Sequence, residues 1–494
     1  MWGNFLAALE RLEIPTETSP PNPLSAAERG NRNRPSCSPS PFRHWYTHGL
    51  QNRVLWGNGY YFDNLHQLHQ QRFYRLVKEH VHSVNAAVTG LSALPATAQP
   101  MAAVKAMSRF LNHEEVTLQA LIEPLQEAIR VALTEASIAL VVHDWCMFSF
   151  HHISKTDRVQ RTHSQDVGYD LGTALVVDAT DGRPLGPVEF RLRTADAKIL
   201  STRPGATTCP PAHIDELTEV FAQSRYWNLG RPLVHIVDRE ADSVGHYRIW
   251  HEAGHRFLVR AKSDRRVTWK GQSVMLKEIQ AQLASDFCDP LGGPTRLVTA
   301  ALGVCRVQVL ETDVVLDRPA RTRSGDTQRE VPGPPLPLRL VLTRVVDALG
   351  VVRAEWLLFT NVASTTDAKT IARWYAWRWR IESYHKLLKT AGMNAEEWQQ
   401  QSGVAFATRL VIASMACLTV WHLQLDTSDD ATRLKAILIR LSGRQMKHRV
   451  QNTAPALLAG LEKLLAVVDL LETETLESIL DLARRILPKL FDTA

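Results

Sequence analysis

The sequence predicts a mixed α/β protein in which a strand-rich centre is flanked by helical regions. Three observations predict it. Two short apolar runs, IALVVHD (138–144) and LVHIVD (233–238), have the length and β-branched content of buried strands, and each ends in an Asp. Helical periodicity follows the second run in READSVGHYRIWHEAG (239–254) and precedes it in HIDELTEVFAQSR (213–225). Strand-like segments then crowd residues 255–362, and the remainder reads as helix.

In chain order, residues 1–48 are rich in Pro, Ser, Asn and Arg without periodicity and are expected to form a disordered leader. Residues 49–135 read as a helical region, with an apolar stripe in FLNHEEVTLQALIEPLQEAIRVAL and Asn112 as a plausible cap. Residues 136–254 hold the two Asp-terminated runs. Between them, YDLGTALVVDA (169–179) and GPVEFRLRT (186–194) flank the turn signal Asp181-Gly182-Arg183-Pro184 and read as a hairpin. The order is strand, strand, strand, helix, strand, helix. Residues 255–362 form a β-rich insertion of RFLVRAK, TRLVTA, CRVQVLETDVVL, LRLVLTRVV and AEWLLFTN, interrupted by the linker RPARTRSGDTQREVPGPPLP. Residues 363–425 and 426–494 are helical.

Composition excludes several classes. The longest apolar runs, such as the one ending at Val142, are expected to fall far short of the roughly 20 residues that span a bilayer. The first residues lack a cationic region followed by a cleavable apolar core, so no secretory signal is expected. Six Cys (37, 146, 209, 288, 305, 417) form no C-x-x-C pair, which argues against a zinc ribbon or disulfide framework and for a reducing compartment. Net charge is only +6, but Arg256–Lys270 holds six Arg/Lys against Asp264, and Arg433–Arg449 holds six with no acid. Such clusters suit a polyanion partner or, more blandly, a solvated surface.

The chemistry concentrates in YAWRWRIESYHKLLK, Tyr375 to Lys389. On an unbroken helix, Tyr375, Arg378, Glu382, Lys386 and Lys389 fall within a sector of about 80°. Trp377, Ile381, Tyr384 and Leu388 fall on the opposite side, and Trp379 lies at the edge of the cationic face. One face is thus fit to pack on a sheet, and the other presents a lone carboxylate among cations. Salt pairs at i,i+4 would explain Glu382 with Arg378 and Lys386, but not Tyr375 in register. Asp144 and Asp238, at the ends of their apolar runs, stand where α/β sheets tend to carry functional groups, though Asp238 is also suited to cap the helix it precedes. Three carboxylates offer hard oxygen ligands to two divalent ions, and the surrounding cations suit phosphates.

These residues carry a resemblance. VVHD ending at Asp144, IVDREAD from Ile236 to Asp242, and Y-x2-R-x3-E-x6-K met by Tyr375, Arg378, Glu382 and Lys389 resemble the signature of IS4-family DDE transposases. The resemblance covers about 100–425. It implies an RNase H-like core with the β-rich insertion between the second Asp and the Glu. Asp144, Asp238 and Glu382 would then be catalytic and hold two Mg²⁺ ions, with Mn²⁺ able to substitute. Tyr375, Arg378 and Lys389 would grip phosphates, with Lys386 and Arg260 as further DNA contacts and Trp356 as a stacking platform for a flipped base. Core packing competes for Trp356, and an ion pair for Arg260. Arg239 and Glu240 read as helix-start residues, and His143 and His235 as satisfied core histidines.

The function implied is cut-and-paste transposition of an insertion sequence. Its steps are a nick, hairpin formation, hairpin opening and strand transfer. The partners implied are double-stranded DNA (element ends and target) and a second copy of the chain, in a bacterial cytoplasm, nucleoid-associated and without a membrane. Residues 49–135 are the expected reader of the ends by position. Residues 457–487 are suited either to dimerise or to cap the chain's own core. The rivals are another RNase H-like nuclease and a transposon-derived DNA-binding protein without cleavage activity.

Overall fold

The fold was analysed in a computed structural model. It describes residues 67–82, 100–133, 138–150, 157–160, 167–195, 198–205, 212–287, 295–299, 303–324, 327–444 and 452–486, with residues 62, 65, 66, 155 and 210. The expected leader, 1–48, lies outside them. Helices α1 (Gln67–His82), α2 (Pro100–Leu111) and α3 (Leu118–Ala132) precede the first strand, as the periodicity predicts. Thr117, not Asn112, caps α3, its side chain accepting from the Ala120 N–H.

A large mixed sheet organises the molecule. Strands β1 (Ala139–Ser149), β2 (Val159–Gln160), β3 (Val167–Asp178), β4 (Pro184–Thr194) and β5 (Lys198–Ser201) come first. Helix α4 (His213–Gln223), β6 (Leu233–Val237), α5 (Val244–Glu252) and β7 (Arg256–Arg260) follow. The sheet runs β5-β4-β3-β1-β6-β7; the pairings from β5 to β1 are antiparallel, and β1, β6 and β7 run parallel. The strand and helix order expected for this region therefore holds.

Apart from one small hairpin, the strands of the insertion join the same sheet. The insertion comprises β8 (Arg266–Trp269), β9 (Gln272–Met275), α6 (Leu276–Gln282), β10 (Thr295–Thr299), β11 (Gly303–Leu316), β12 (Ala320–Ser324), β13 (Thr327–Val331), β14 (Leu336–Val346) and β15 (Val352–Thr360). β15 pairs antiparallel with β7, and β14, β11, β8 and β9 extend the same sheet outward. The Pro/Gly-rich stretch read as a linker contains the two-stranded hairpin β12–β13. The remaining helices are α7 (Ala368–Ala376), α8 (Trp379–Lys386), α9 (Gly403–Leu425), α10 (Asp429–Ser442), α11 (Ala454–Thr473) and α12 (Leu476–Ile486).

Both faces of the central strands are covered. Phe148 and Tyr169 meet Phe406 of α9 on one face, and Phe221 of α4 stacks on His235 at 3.8 Å on the other. Among the described residues α9 alone is long and apolar enough to cross a membrane, but it is buried inside the fold. Its apolarity all round fits a helix enclosed by protein. Leu457, Leu458, Leu461 and Leu465 of α11 are also buried, which favours core capping for that part of 457–487. α12 has no buried residue.

The β3–β4 turn locks the sheet to the helix pair α7–α8. Gly182 has φ +74°, and a Cβ there would collide with the Trp377 indole. The Gly182 carbonyl accepts from Arg380 Nε at 3.1 Å, and the Ala179 carbonyl from Trp374 Nε1 at 3.0 Å. Gly182→Ala should cost roughly 1–2 kcal/mol in backbone strain and roughly 1–3 kcal/mol in overpacking. A urea midpoint equal to that of wild type would refute this account of the turn.

Candidate active site

Asp144 and Asp238 come level on adjacent parallel strands. Val142 of β1 pairs with Ile236 of β6, and each Asp lies two residues further on. Asp144 is not at the end of its strand as expected: β1 continues to Ser149, held by β3, with Asp144 opposite Thr173. The end that matters belongs to β6, which stops at Val237 and leaves the β1 edge open beside Asp144. Asp238 does serve as a cap, its Oδ1 accepting from Glu240 N–H at 2.7 Å. That bond fixes the carboxylate and leaves further oxygen lone pairs available.

Glu382 reaches the same place from α8. Arg378 donates to Glu382 Oε1 at 2.8 Å and stands 3.6 Å from Asp144 Oδ2. It also donates to the Tyr375 hydroxyl and feels the charge of Asp238. One guanidinium therefore links Asp144 and Glu382 to Tyr375, with Asp238 within reach of its charge. Burial opposes its charge, but Tyr375, Asp144, Glu382 and Asp238 outweigh that and hold its pKa above the usual range. Asp144 shows the opposite imbalance. Burial pushes its carboxyl up to about 6, Arg378 opposes the shift, and Asp238 and Glu240 add to it. Its Oδ1 accepts from Trp145 N–H at 2.9 Å.

The helix carrying these groups is broken, which corrects the continuous wheel. α7 ends at Ala376 and α8 begins at Trp379, with three-residue hydrogen bonds such as Arg378 N–H to Tyr375 O between them. Leu387–Ala391 then forms a π-helical turn, a feature frequent at functional sites. The apolar side is as predicted: Trp377, Ile381, Tyr384 and Leu388 are buried. The other side is not a free cationic face. Tyr375 and Arg378 are buried, Glu382 and Lys389 are half-buried, and of these five residues Lys386 alone is exposed. Lys389 donates to the Met147 carbonyl at 2.7 Å and pairs with Glu396 at 3.1 Å, so it is anchored to β1. Trp379, which the wheel left undecided, packs beneath Arg378 at 4.8 Å. Arg378 Nε and Trp379 Nε1 are buried donors with no acceptor, so the cationic side retains donor capacity.

Trp356 is a core residue, 4% exposed and edge-on to Tyr375 at 5.5 Å. Its face is not open to a base in this conformation, because β15 places it inward beneath α7. Arg260 ends β7, half-buried, and its charge acts on Tyr375, which puts it at the same end of the sheet. The basic runs are partly internal: Arg265 pairs with Asp242 at 3.1 Å, and Lys435 donates to the Gln424 and Asp426 carbonyls. Residues 445–449 lie outside the described residues.

Sequence reading missed the support behind Asp144. Trp145 stacks on His213 at 4.4 Å, and His213 bonds Asp170 and Glu240, both at 2.9 Å. Burial opposes protonation of His213, but the two carboxylates outweigh it and raise its pKa. Glu240 is thus more than a helix-start residue, since it ties the turn after Asp238 to α4. His143 and His235 are core histidines bonded to each other at 3.0 Å, but the expectation that both are satisfied fails at His143 Nδ1, which is buried without a partner. Burial lowers the pKa of both rings.

The chain matches no protein-family model, and it has no significant match among curated proteins.

Proposed function

We propose that the protein is a DDE-type DNA transposase built on an RNase H-like core. One observation carries the proposal: Asp144, level with Asp238 on the adjacent parallel strand, is joined by Arg378 to Glu382 on a helix 238 residues further on in sequence. The order of three antiparallel strands followed by two parallel strands with intervening helices supports the fold class. The insertion between Asp238 and Glu382 lies where the sequence resemblance expects it.

The donor set fits divalent ions. Three carboxylates supply hard oxygens to a divalent ion. Asp144, Asp238 and Glu382 would hold Mg²⁺, and Mn²⁺ in its place. Bound there, such ions activate water and stabilise the leaving oxygen of a phosphodiester. Arg378 bridges Asp144 and Glu382 and would turn to a phosphate as metal takes over those oxygens. Tyr375 fixes Arg378, and Lys386 offers an exposed cation on the same helix. The reaction sequence is a nick, attack of the freed 3′-OH on the opposite strand, opening of the hairpin and strand transfer.

The test uses the full chain, Mg²⁺ or Mn²⁺, and DNA bearing the inverted repeats that flank its gene. Hairpin-ended products are expected. Nicks without hairpins would make it a different nuclease, and binding without cleavage would make it a non-catalytic DNA-binding protein.

A further inference from the structure

We infer a second metal site, for a zinc-class transition ion, made by His69, His113 and Glu115. It lies in the N-terminal helices and is independent of the carboxylate site. His69 comes from the first turn of α1, while His113 and Glu115 come from the short connection between α2 and α3. One ligand atom from each lies within 4.8 Å of the other two. His69 Nε2 stands 3.6 Å from Glu115 Oε2, and the two imidazole centroids are 4.5 Å apart. Ligand atoms around a tetrahedral zinc ion, with bonds of about 2.0–2.1 Å, stand about 3.3 Å apart. Small side-chain adjustments would therefore close the set.

Local structure prepares the site. The connection is folded on itself, with His113 N–H bonded to the Phe110 carbonyl and Val116 N–H to that of His113. Glu115 N–H donates to His113 Nδ1 at 3.3 Å, which leaves His113 Nε2 as the ligand atom. His69 is 6% exposed, and its Nδ1 is buried without a hydrogen-bond partner.

Two imidazoles and one carboxylate favour Zn²⁺, Co²⁺ or Ni²⁺ over Mg²⁺, because nitrogen donors select the borderline ions. Glu115 is open to solvent, so water completes the coordination. Bound metal would staple α1 to the α2–α3 connection and fix the geometry of the region expected to read DNA ends.

Co²⁺ is the probe, added to the full chain in millimolar Mg²⁺ to keep the carboxylate site occupied. The expected result is a visible ligand-field band saturating at one Co²⁺ per chain, with a rise in Tm. Glu115→Gln, whose side chain is 72% exposed and unneeded for packing, should weaken binding at least tenfold. His113→Gln should abolish the band, and Asp144→Asn should leave it unchanged. No band, a band insensitive to Glu115→Gln and His113→Gln, or a band lost in Asp144→Asn would each overturn the inference.

Discussion

Replacing Asp144 with Asn is expected to abolish metal-dependent strand cleavage, leave DNA binding intact, and stabilise the metal-free protein at neutral pH. The loss of activity should reach roughly 10²–10³-fold or more, as for other single electrostatic groups at a reacting centre. The gain in stability follows from the raised carboxyl. Its pKa is about 6 in the fold against 3.8 for an ordinary Asp, so between those values the native state holds a proton that the unfolded chain has released. Stability therefore falls as pH rises through that window and stays lowered above about 6. The shift corresponds to about 3 kcal/mol, reduced to about 1–2 kcal/mol by the solvent reaching the side chain. Asn carries no such penalty. Urea midpoints in EDTA at pH 5 and pH 7.5 should fall with pH for wild type and less steeply for the variant. A variant that still cuts DNA would remove Asp144 from the mechanism, and equal slopes would refute its raised pKa.

The same carboxyl is expected to set the pH dependence of the proposed reaction. Below about 6 Asp144 is protonated and a poorer metal ligand. Cleavage at limiting Mg²⁺ should therefore rise with pH through about 6, and excess Mg²⁺ should move the midpoint lower. A flat profile between pH 5 and 7 would place the controlling ionisation elsewhere.

Local signals in the sequence carried the architecture further than the site. Apolar runs found β1 and β6, and the Gly182 turn found the β3–β4 hairpin, because each depends on residues adjacent in the chain. The wheel separated the buried side of the 375–389 segment from the Arg378–Glu382 side but assumed an unbroken helix. Its break at Trp377–Arg378 is tertiary in origin, since Trp377 seats on Gly182 from 195 residues earlier. The resemblance made Arg378 and Tyr375 phosphate grips, and the wheel put them on a face taken as open, whereas both are buried, Tyr375 edge-on to Trp356. Short, half-polar β8 and β9 gave no periodic signal, and their pairing with each other and β11 is what defines them. The His213 support and the His69 cluster join residues far apart in sequence, where spacing carries no information.

Arg378 gives the second large effect, because it performs two opposing tasks. Its guanidinium holds Glu382 at 2.8 Å and Asp144 at 3.6 Å, so it competes with divalent ions for the same oxygens. In the proposed reaction it would also supply a cation for a phosphate beside those carboxylates. Arg378→Gln should therefore separate metal binding from catalysis. Mn²⁺ affinity measured by calorimetry is expected to increase several-fold, because the acids lose their counter-charge and the ion replaces it. Single-turnover cleavage at saturating Mn²⁺ is expected to fall roughly 10²–10³-fold, because the transition state loses a donor that no ion replaces. Without metal, breaking a buried pair usually costs about 3–5 kcal/mol, but both carboxylates retain solvent contact, so a smaller loss is expected, largely restored by Mn²⁺. A purely structural role predicts something else: weaker metal binding, slower cleavage and a lower Tm together, with no recovery on adding Mn²⁺. Opposite movements of affinity and rate would instead identify Arg378 as the group that keeps Asp144 and Glu382 together until metal and DNA displace it.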